Sequence, residues 1–126
     1  MHTTEEATVT TTRQSAIDII NRSHNRREPE PLLDLITDDA ELVTYDRTGA
    51  EPRTTSGKPA IEAELRDVFA RDMTHEVRDM VAGEGRLAYR VHCTYPDGTR
   101  VVGSVICELD ETGRITRMTQ VVTWDD

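Results

Sequence analysis

Hydrophobic residues in the first half of the chain recur with the period of a helix. Ala16, Ile17 and Ile20 share one stripe with His24, so the spacing predicts a helix over residues 13–27. Such a helix is amphipathic and needs a partner surface for its apolar side.

Two shorter helices are predicted after it. Pro29 and Pro31 end the first helix, and Pro31 can open a second one over residues 32–36, because a proline in the first helical turn loses no hydrogen bond. A third helix follows Ser56 and Gly57, where the apolar side chains return to helical spacing. The residues that set this spacing are Ile61, Leu65, Val68 and Phe69.

Strand patterns fill the rest of the chain. Residues 41–46 predict a first strand with Leu42, Thr44 and Asp46 on one face. Beyond residue 73, short Gly-containing turns separate four further strands and force antiparallel neighbours. These strands are predicted over residues 75–82, 86–95, 100–109 and 114–124. The order predicts the α+β class, with three N-terminal helices packed on one face of a curved antiparallel sheet. The helical residues expected to face the sheet are Ile17, Ile20, Ile61, Leu65 and Phe69.

Composition and charge narrow the possible functions. The 126 residues predict one domain over residues 13–126, preceded by a Thr-rich, disordered tail over residues 1–12. A net charge of −9 argues against nucleic acid or an anionic membrane as a partner, because phosphate binding needs clustered Lys and Arg. No apolar run has membrane-spanning length and no signal peptide is visible, so we expect a cytoplasmic protein.

The cysteines and histidines predict neither a disulfide nor a metal site. If the Asp97-Gly98 turn closes a two-residue hairpin, Cys93 lies opposite Val102, five residues from Cys107. That separation is about 17 Å along a strand, whereas a disulfide needs Cα atoms within about 7 Å. We therefore expect two reduced thiols. The four histidines are scattered and lack metal-ligand spacing, so no metal or other cofactor is expected.

Several short motifs resemble one superfamily in order and spacing. Residues 46–53, Asp-Arg-Thr-Gly-Ala-Glu-Pro-Arg, resemble the ketosteroid isomerase segment "DPVGSEPR". Thr37-Asp38-Asp39-Ala40 resembles the "ADDA" before that family's first strand, and residues 56–61 resemble its "SG-x-x-x-I" helix entry. Over residues 13–124 the chain thus resembles the nuclear transport factor 2-like superfamily, and most closely the ketosteroid isomerases and SnoaL-type polyketide cyclases. The resemblance implies a cone-shaped fold.

The resemblance implies a general base, but this chain lacks the hydrogen-bond donors that accompany the base in the family. In the isomerases, the aspartate of this segment shuttles a proton between two carbons, and its position falls on Asp46. An alternative alignment places that position on Thr44, which lies on the same face of the strand. The family's oxyanion hole uses a tyrosine and a protonated aspartic acid. Their positions fall on Ile20 and on Val105 or Ile106, none of which can donate a hydrogen bond.

Other candidates come from the predicted meander. By analogy with the isomerase strand, Tyr89, Val91 and Cys93 face the cavity and His92 faces outward. Tyr89 could donate to an oxyanion or simply form the wall. Glu108 could be a second acid paired with Asp46, or an outward strand-end residue. On the last strand, Gln120 could orient a carbonyl and Trp124 could cap a ligand, although Trp124 also suits a core or a dimer interface.

Two functional hypotheses from different classes follow. The first is a cofactor-independent isomerase, cyclase or epoxide hydrolase that acts on a small, mostly apolar molecule with Asp46 as general base. The second is a non-catalytic binding or dimerisation module of the same fold, which a fully solvated Asp46 would favour. In both cases we expect a homodimer formed through the outer sheet face. The residues expected to contact the ligand are Ile20, Thr44, Phe69, Tyr89, Val91, Val105, Gln120 and Trp124.

Overall fold

A computed structural model describes residues 3–46 and 51–125, with side chains over residues 14–46 and 51–124. Three helices precede or interrupt the strands, and they cover one face of a six-stranded, curved and unclosed sheet. This confirms the predicted α+β class and cone-shaped architecture. In chain order, the elements are α1 (Thr3–Arg26), α2 (Glu30–Leu35), β1 (Ile36–Tyr45), β2 (Arg53–Ser56), α3 (Lys58–Ala70), β3 (Thr74–Gly83), β4 (Arg86–Thr94), β5 (Arg100–Leu109) and β6 (Ile115–Asp125).

The sheet has the strand order β2-β1-β6-β5-β4-β3. Four neighbouring pairs are antiparallel, as the predicted antiparallel sheet requires, whereas β1 and β6 are parallel. Hairpin spacing fixes the direction only of strands joined by short turns. A helix and four strands separate β1 from β6 along the chain, and no turn signal constrained them. The sequence prediction also missed β2, which has four residues.

Helix α1 is longer than predicted. It begins at Thr3, whereas the sequence predicted a disordered tail over residues 1–12; residues 1 and 2 of that tail lie outside the described residues. The segment contains neither Gly nor Pro, so nothing interrupts the helix, although Thr is only a moderate helix former.

The buried stripe of α1 is centred differently from the prediction. Ala16, Ile20 and Ser23 are fully buried and Ile19 packs against the core. Ile17 is only half-buried and was wrongly predicted to face the sheet. At 100° per residue, Ile17 lies about 100° from Ala16, at the edge of the stripe.

The C-terminal end of α1 is fixed by its backbone and anchored by a side chain. Arg27 has a left-handed φ of 53°. The amide of Arg27 donates to the carbonyl of His24, and that of Glu28 to the carbonyl of Ser23, as in a Schellman motif. The guanidinium of Arg27 donates to the carbonyls of Arg71 and Met73, both at 3.2 Å. The last turn of α1 is thereby held against the segment that enters β3.

The β4–β5 hairpin differs from its predicted register by one residue. Cys93 lies opposite Val101, not Val102, because the turn has three residues, with Gly98 at a left-handed φ of 92°. Cys93 and Cys107 remain far apart along the ladder, and both are free, as predicted; both are also buried.

The hydrophobic core lies between the helices and the inner sheet face. Fully buried aliphatic side chains from both layers meet there, and the largest are Ile20, Leu32, Ile36, Leu42, Ile61, Leu87 and Ile115. Over the described residues, none of the helices has the length and apolar character needed to cross a membrane.

Candidate functional site

A cavity of about 290 Å³ lies between the helices and the inner face of the sheet. Most of the residues predicted to form the site line it: Thr44, Asp46, Phe69, Tyr89, Val91, Val105, Gln120 and Trp124. Ile20 does not line the cavity, and its side chain is fully buried in the core. Of the two alternatives for the missing acid, Val105 lines the cavity and Ile106 is half exposed.

Strand register explains why these side chains meet. Thr44 pairs with Gln120, Gln120 with Val105, and Val105 with Tyr89, so one row of inward side chains crosses four strands. Gln120 Nε2 donates to Thr44 Oγ1 at 3.0 Å. The amide predicted to orient a ligand carbonyl is therefore positioned by Thr44. Trp124 stacks on Tyr95, with ring centroids 6.4 Å apart, at the next part of the cavity wall.

Asp46 belongs to a charged cluster at one edge of the cavity. Arg53 Nη1 lies 4.0 Å from Asp46 Oδ2, and Arg53 Nε lies 3.5 Å from Glu64 Oε1. Thr55 Oγ1 donates to the same Glu64 oxygen at 2.7 Å. The side chains of Asp46 and Glu64 are 28% and 30% exposed, so both are partly shielded from water.

The pairing of β1 with β2 builds this charged cluster. Arg53 lies opposite Thr44 in the antiparallel ladder, which brings its guanidinium back beside Asp46, while α3 supplies Glu64. Two proton-accepting carboxylates and one guanidinium donor thus lie together beside apolar walls. Arg53 was part of the quoted motif, but its role and that of Glu64 were not predicted, because the short strand β2 was not recognised.

A pair of imidazoles lines the same cavity and was not predicted as part of the site. His24 Nδ1 and His75 Nδ1 are 3.0 Å apart. Phe69 stacks on His24 at 5.1 Å between centroids, and the Tyr89 ring meets His24 edge-on at 6.0 Å. The position of His24 on the apolar stripe of α1 was the one clue in the sequence to this pair. That His75 lies beside His24 follows only from the folded topology.

Both imidazoles are held neutral by their surroundings. Burial, followed by the neighbouring His75, lowers the pKa of His24 from 6.5 to about 3. Burial, followed by the positive charge of Arg27, lowers the pKa of His75. An Nδ1···Nδ1 hydrogen bond requires one ring to donate and the other to accept, so the two neutral rings carry opposite tautomers.

Of the two remaining candidates, Tyr89 lies in the cavity wall and Glu108 lies outside the cavity. Tyr89 is fully enclosed in the wall beside Cys107, and burial, followed by that thiol, raises its pKa well above 10. Glu108 does not line the cavity; it is 42% exposed and faces Arg86 and Arg117 at 4.0 Å and 3.9 Å. The alternative that paired Glu108 with Asp46 was therefore wrong, and Glu64 is the carboxylate beside Asp46. Among the described residues, no three metal-ligating side chains lie together.

Comparisons with known structures agree with the fold. In structure, the chain is similar to an NTF2-like protein of unknown function from Mesorhizobium loti, with a TM-score of 0.73, 16% identity and coverage of 88% of this chain and 93% of that one. It is also similar to a steroid delta-isomerase from Pseudomonas aeruginosa, with a TM-score of 0.69, 17% identity and coverage of 89% and 80%. A third is SalBIII, an epoxide hydrolase/cyclase-like enzyme of pyran ring formation in salinomycin, with a TM-score of 0.68, 18% identity and 92% coverage of both chains.

The fold is that of the NTF2-like proteins. The model of the SnoaL-like domain matches residues 18–118, and the chain therefore belongs to that family. A search of the curated proteins finds no match to the sequence.

Proposed function

We propose that the protein is a cofactor-independent enzyme of the isomerase, cyclase or epoxide hydrolase kind, with Asp46 as its general base. The observation that carries the proposal is the cluster of Asp46, Arg53 and Glu64 at the edge of an otherwise mostly apolar cavity. Carboxylates with neighbouring charged partners in a cavity are typical of acid–base sites. The substrate would be a compact, mostly apolar molecule.

The charged cluster suits a proton transfer that begins and ends on a carboxylate. Asp46 takes a proton from a substrate carbon or from a water that then attacks the substrate. The proton returns to another carbon, or to the oxygen released when a C–O bond breaks. Arg53 holds both carboxylates in place, and Glu64 offers a second group through which the proton can return. A positioned base of this kind contributes roughly 100- to 10,000-fold in rate.

A binding module is the alternative, and the exposure of Asp46 bears on it. At 28% exposed and ion-paired with Arg53, Asp46 is not fully solvated, whereas full solvation is what the binding module hypothesis favours. Its position inside the cavity wall supports the enzyme, since a carboxylate there costs desolvation that pure ligand packing does not require.

We also propose a homodimer through the outer sheet face. Tyr45, Val81, Ile106 and Val121 are between 38% and 66% exposed. Tyr45 and Val121 are neighbours in the ladder, and Ile106 pairs with Ala88, which pairs in turn with Val81. Exposed apolar side chains on neighbouring strands of one sheet face favour an interface there.

Two probe reactions test the enzyme hypothesis. One is the exchange of the α-protons of 1-tetralone for deuterium in D2O, followed by proton NMR; the other is the hydrolysis of cyclohexene oxide to its diol. We expect the wild type to accelerate at least one of them. Asp46→Asn, which is nearly isosteric, should abolish most of that acceleration.

The matched control is Asp39→Asn, because Asp39 is exposed on β1, the strand that Asp46 follows, and does not line the cavity. It should react like the wild type. If neither probe reacts faster with the protein than without it, or if Asp46→Asn keeps full activity, the binding module becomes the better explanation.

A further inference from the structure

The steps described above for Asp46 assign no role to the pair formed by His24 and His75. The imidazole pair and the charged cluster around Asp46 lie at opposite parts of the sheet. Asp46 follows β1, whereas His75 lies on the edge strand β3. A ligand that fills the cavity therefore meets a charged cluster on one side and a pair of imidazoles on the other. A buried polar pair among aromatic rings is costly unless its hydrogen bonds are satisfied.

The partners of the pair assign its tautomers. His75 Nε2 is shut off from solvent and has no hydrogen-bond partner among the described residues. Buried N–H groups without an acceptor are rarer in proteins than unused acceptors, so this nitrogen is the one without hydrogen. His75 then carries its hydrogen on Nδ1 and donates it to His24 Nδ1 across 3.0 Å. His24 must carry its own hydrogen on Nε2.

We infer that His24 donates this Nε2 hydrogen to an uncharged oxygen of the ligand, such as a carbonyl, and that His75 positions it to do so. His24 lines the cavity, and Nε2 is the ring nitrogen that the hydrogen bond with His75 leaves for a ligand. Arg27, whose guanidinium is anchored on the segment before β3, places a positive charge near His75 and so favours the neutral pair.

The inference deepens the proposed function, since it names the chemistry of the ligand in the same cavity. The ligand is a compact apolar molecule with one hydrogen-bond-accepting oxygen. In a conjugated ketone, negative charge created by removal of a proton travels through the conjugated bonds to that oxygen. A neutral imidazole can stabilise such an oxyanion, and His24 would thereby replace the donors that are absent at Ile20 and Val105.

Ligand binding tests the inference without any turnover. The probes are 1-tetralone and tetralin, two bicyclic molecules that differ by the carbonyl oxygen. We expect the wild type to bind the ketone more tightly, and His24→Phe, which keeps an aromatic ring against Phe69, to reduce that preference by about tenfold, as one hydrogen bond implies. His92→Phe is the matched control, because His92 lies on the outer side of β4 and does not line the cavity. It should leave the preference unchanged.

Nitrogen NMR of the imidazoles gives a second, ligand-free test. The ring nitrogen shifts should show His24 with its hydrogen on Nε2 and His75 with its hydrogen on Nδ1. In His75→Phe, His24 should become a mixture of tautomers, a result that a purely structural role for His75 does not predict. The inference would be overturned if the wild type showed His24 with its hydrogen on Nδ1 and His75 with its hydrogen on Nε2. It would also be overturned if His24→Phe left the preference for the ketone unchanged.

The two proposals fail in different ways. Asp46→Asn should lose the proton exchange of 1-tetralone but keep the preference for the ketone over tetralin. His24→Phe should lose the preference whether or not Asp46 acts as a base.

Discussion

Mild acidification should destabilise this protein through His24, at pH values above those at which most of its carboxylates become protonated. The pKa of His24 is about 3 in the folded protein and 6.5 in the unfolded chain, chiefly because burial penalises the charged ring. The unfolded chain therefore binds more protons below pH 6.5, and stability falls as the pH falls. Each pH unit below 6.5 costs about 1.4 kcal/mol per such group, so His24 alone should lower the free energy of unfolding by about 2 kcal/mol between pH 7.5 and pH 5.

The groups around His24 also favour a loss of stability as the pH falls. His75 has its pKa lowered as well, by burial and then by Arg27, and it adds to the loss. Arg27 is itself ion-paired with Asp72 at 3.7 Å. Arg71 and Tyr89 also line this part of the cavity. The carboxyl groups whose pKa values are lowered by hydrogen bonds, such as Asp110 with Thr112, lose their stabilising effect only at more acidic pH.

Urea unfolding at pH 7.5, 6.5, 5.8 and 5.0 measures this effect. The assay compares the wild type with His24→Phe, and with His92→Phe as the control. Between pH 7.5 and pH 5.0, the free energy of unfolding should fall by about 2 kcal/mol less in His24→Phe than in the wild type. In His92→Phe it should fall as much as in the wild type. Parallel pH profiles for the wild type and His24→Phe would show that His24 is not buried as a neutral ring and would refute the reasoning.

Three further predictions concern thiols, assembly and substrate choice. Burial raises the pKa of Cys93 to about 11 and that of Cys107 to about 12, so a disulfide reagent at pH 8 should modify the native protein slowly and find two thiols per chain after unfolding; fast modification would contradict their burial. Ile106→Arg places a charge in the outer apolar face, so if the proposed dimer forms, sedimentation should show the wild type as a dimer and Ile106→Arg as a monomer, with Glu111→Arg in an exposed turn as the control. Steroid Δ5-3-ketones should isomerise far more slowly than with a ketosteroid isomerase, because the single imidazole of His24 stands in for two donors, absent at Ile20 and Val105, that are each worth about 3–4 kcal/mol; comparable turnover would show that a second donor, such as Tyr89, acts on the steroid.

The sequence predicted the elements that carry local signals. Alternating side chains and turns with Gly define β3 to β6, and the helical spacing of Ile61, Leu65, Val68 and Phe69 defines α3. The inward row of Thr44, Tyr89, Val105 and Gln120 followed from strand parity and the family resemblance. These features depend on residues close in the chain, where periodicity and turn chemistry act.

The features that the sequence could not predict depend on contacts between distant residues. The parallel pairing of β1 with β6 and the bond between His24 and His75 join segments dozens of residues apart, and no local pattern encodes either. Arg53 and Glu64 converge on Asp46 only because β2 folds back along β1. A four-residue edge strand rich in Thr gives too short a pattern to recognise.

The most direct test of the central claim is the rate of deuterium exchange into 1-tetralone catalysed by the wild type and by Asp46→Asn. Both proteins are compared at a ketone concentration that saturates binding, so that affinity does not enter the ratio. If Asp46 is the general base, the wild type should accelerate exchange and Asp46→Asn should be slower by roughly 100- to 10,000-fold, with unchanged ketone affinity and Asp39→Asn indistinguishable from the wild type. Equal exchange rates in the wild type and Asp46→Asn would contradict the role assigned to Asp46.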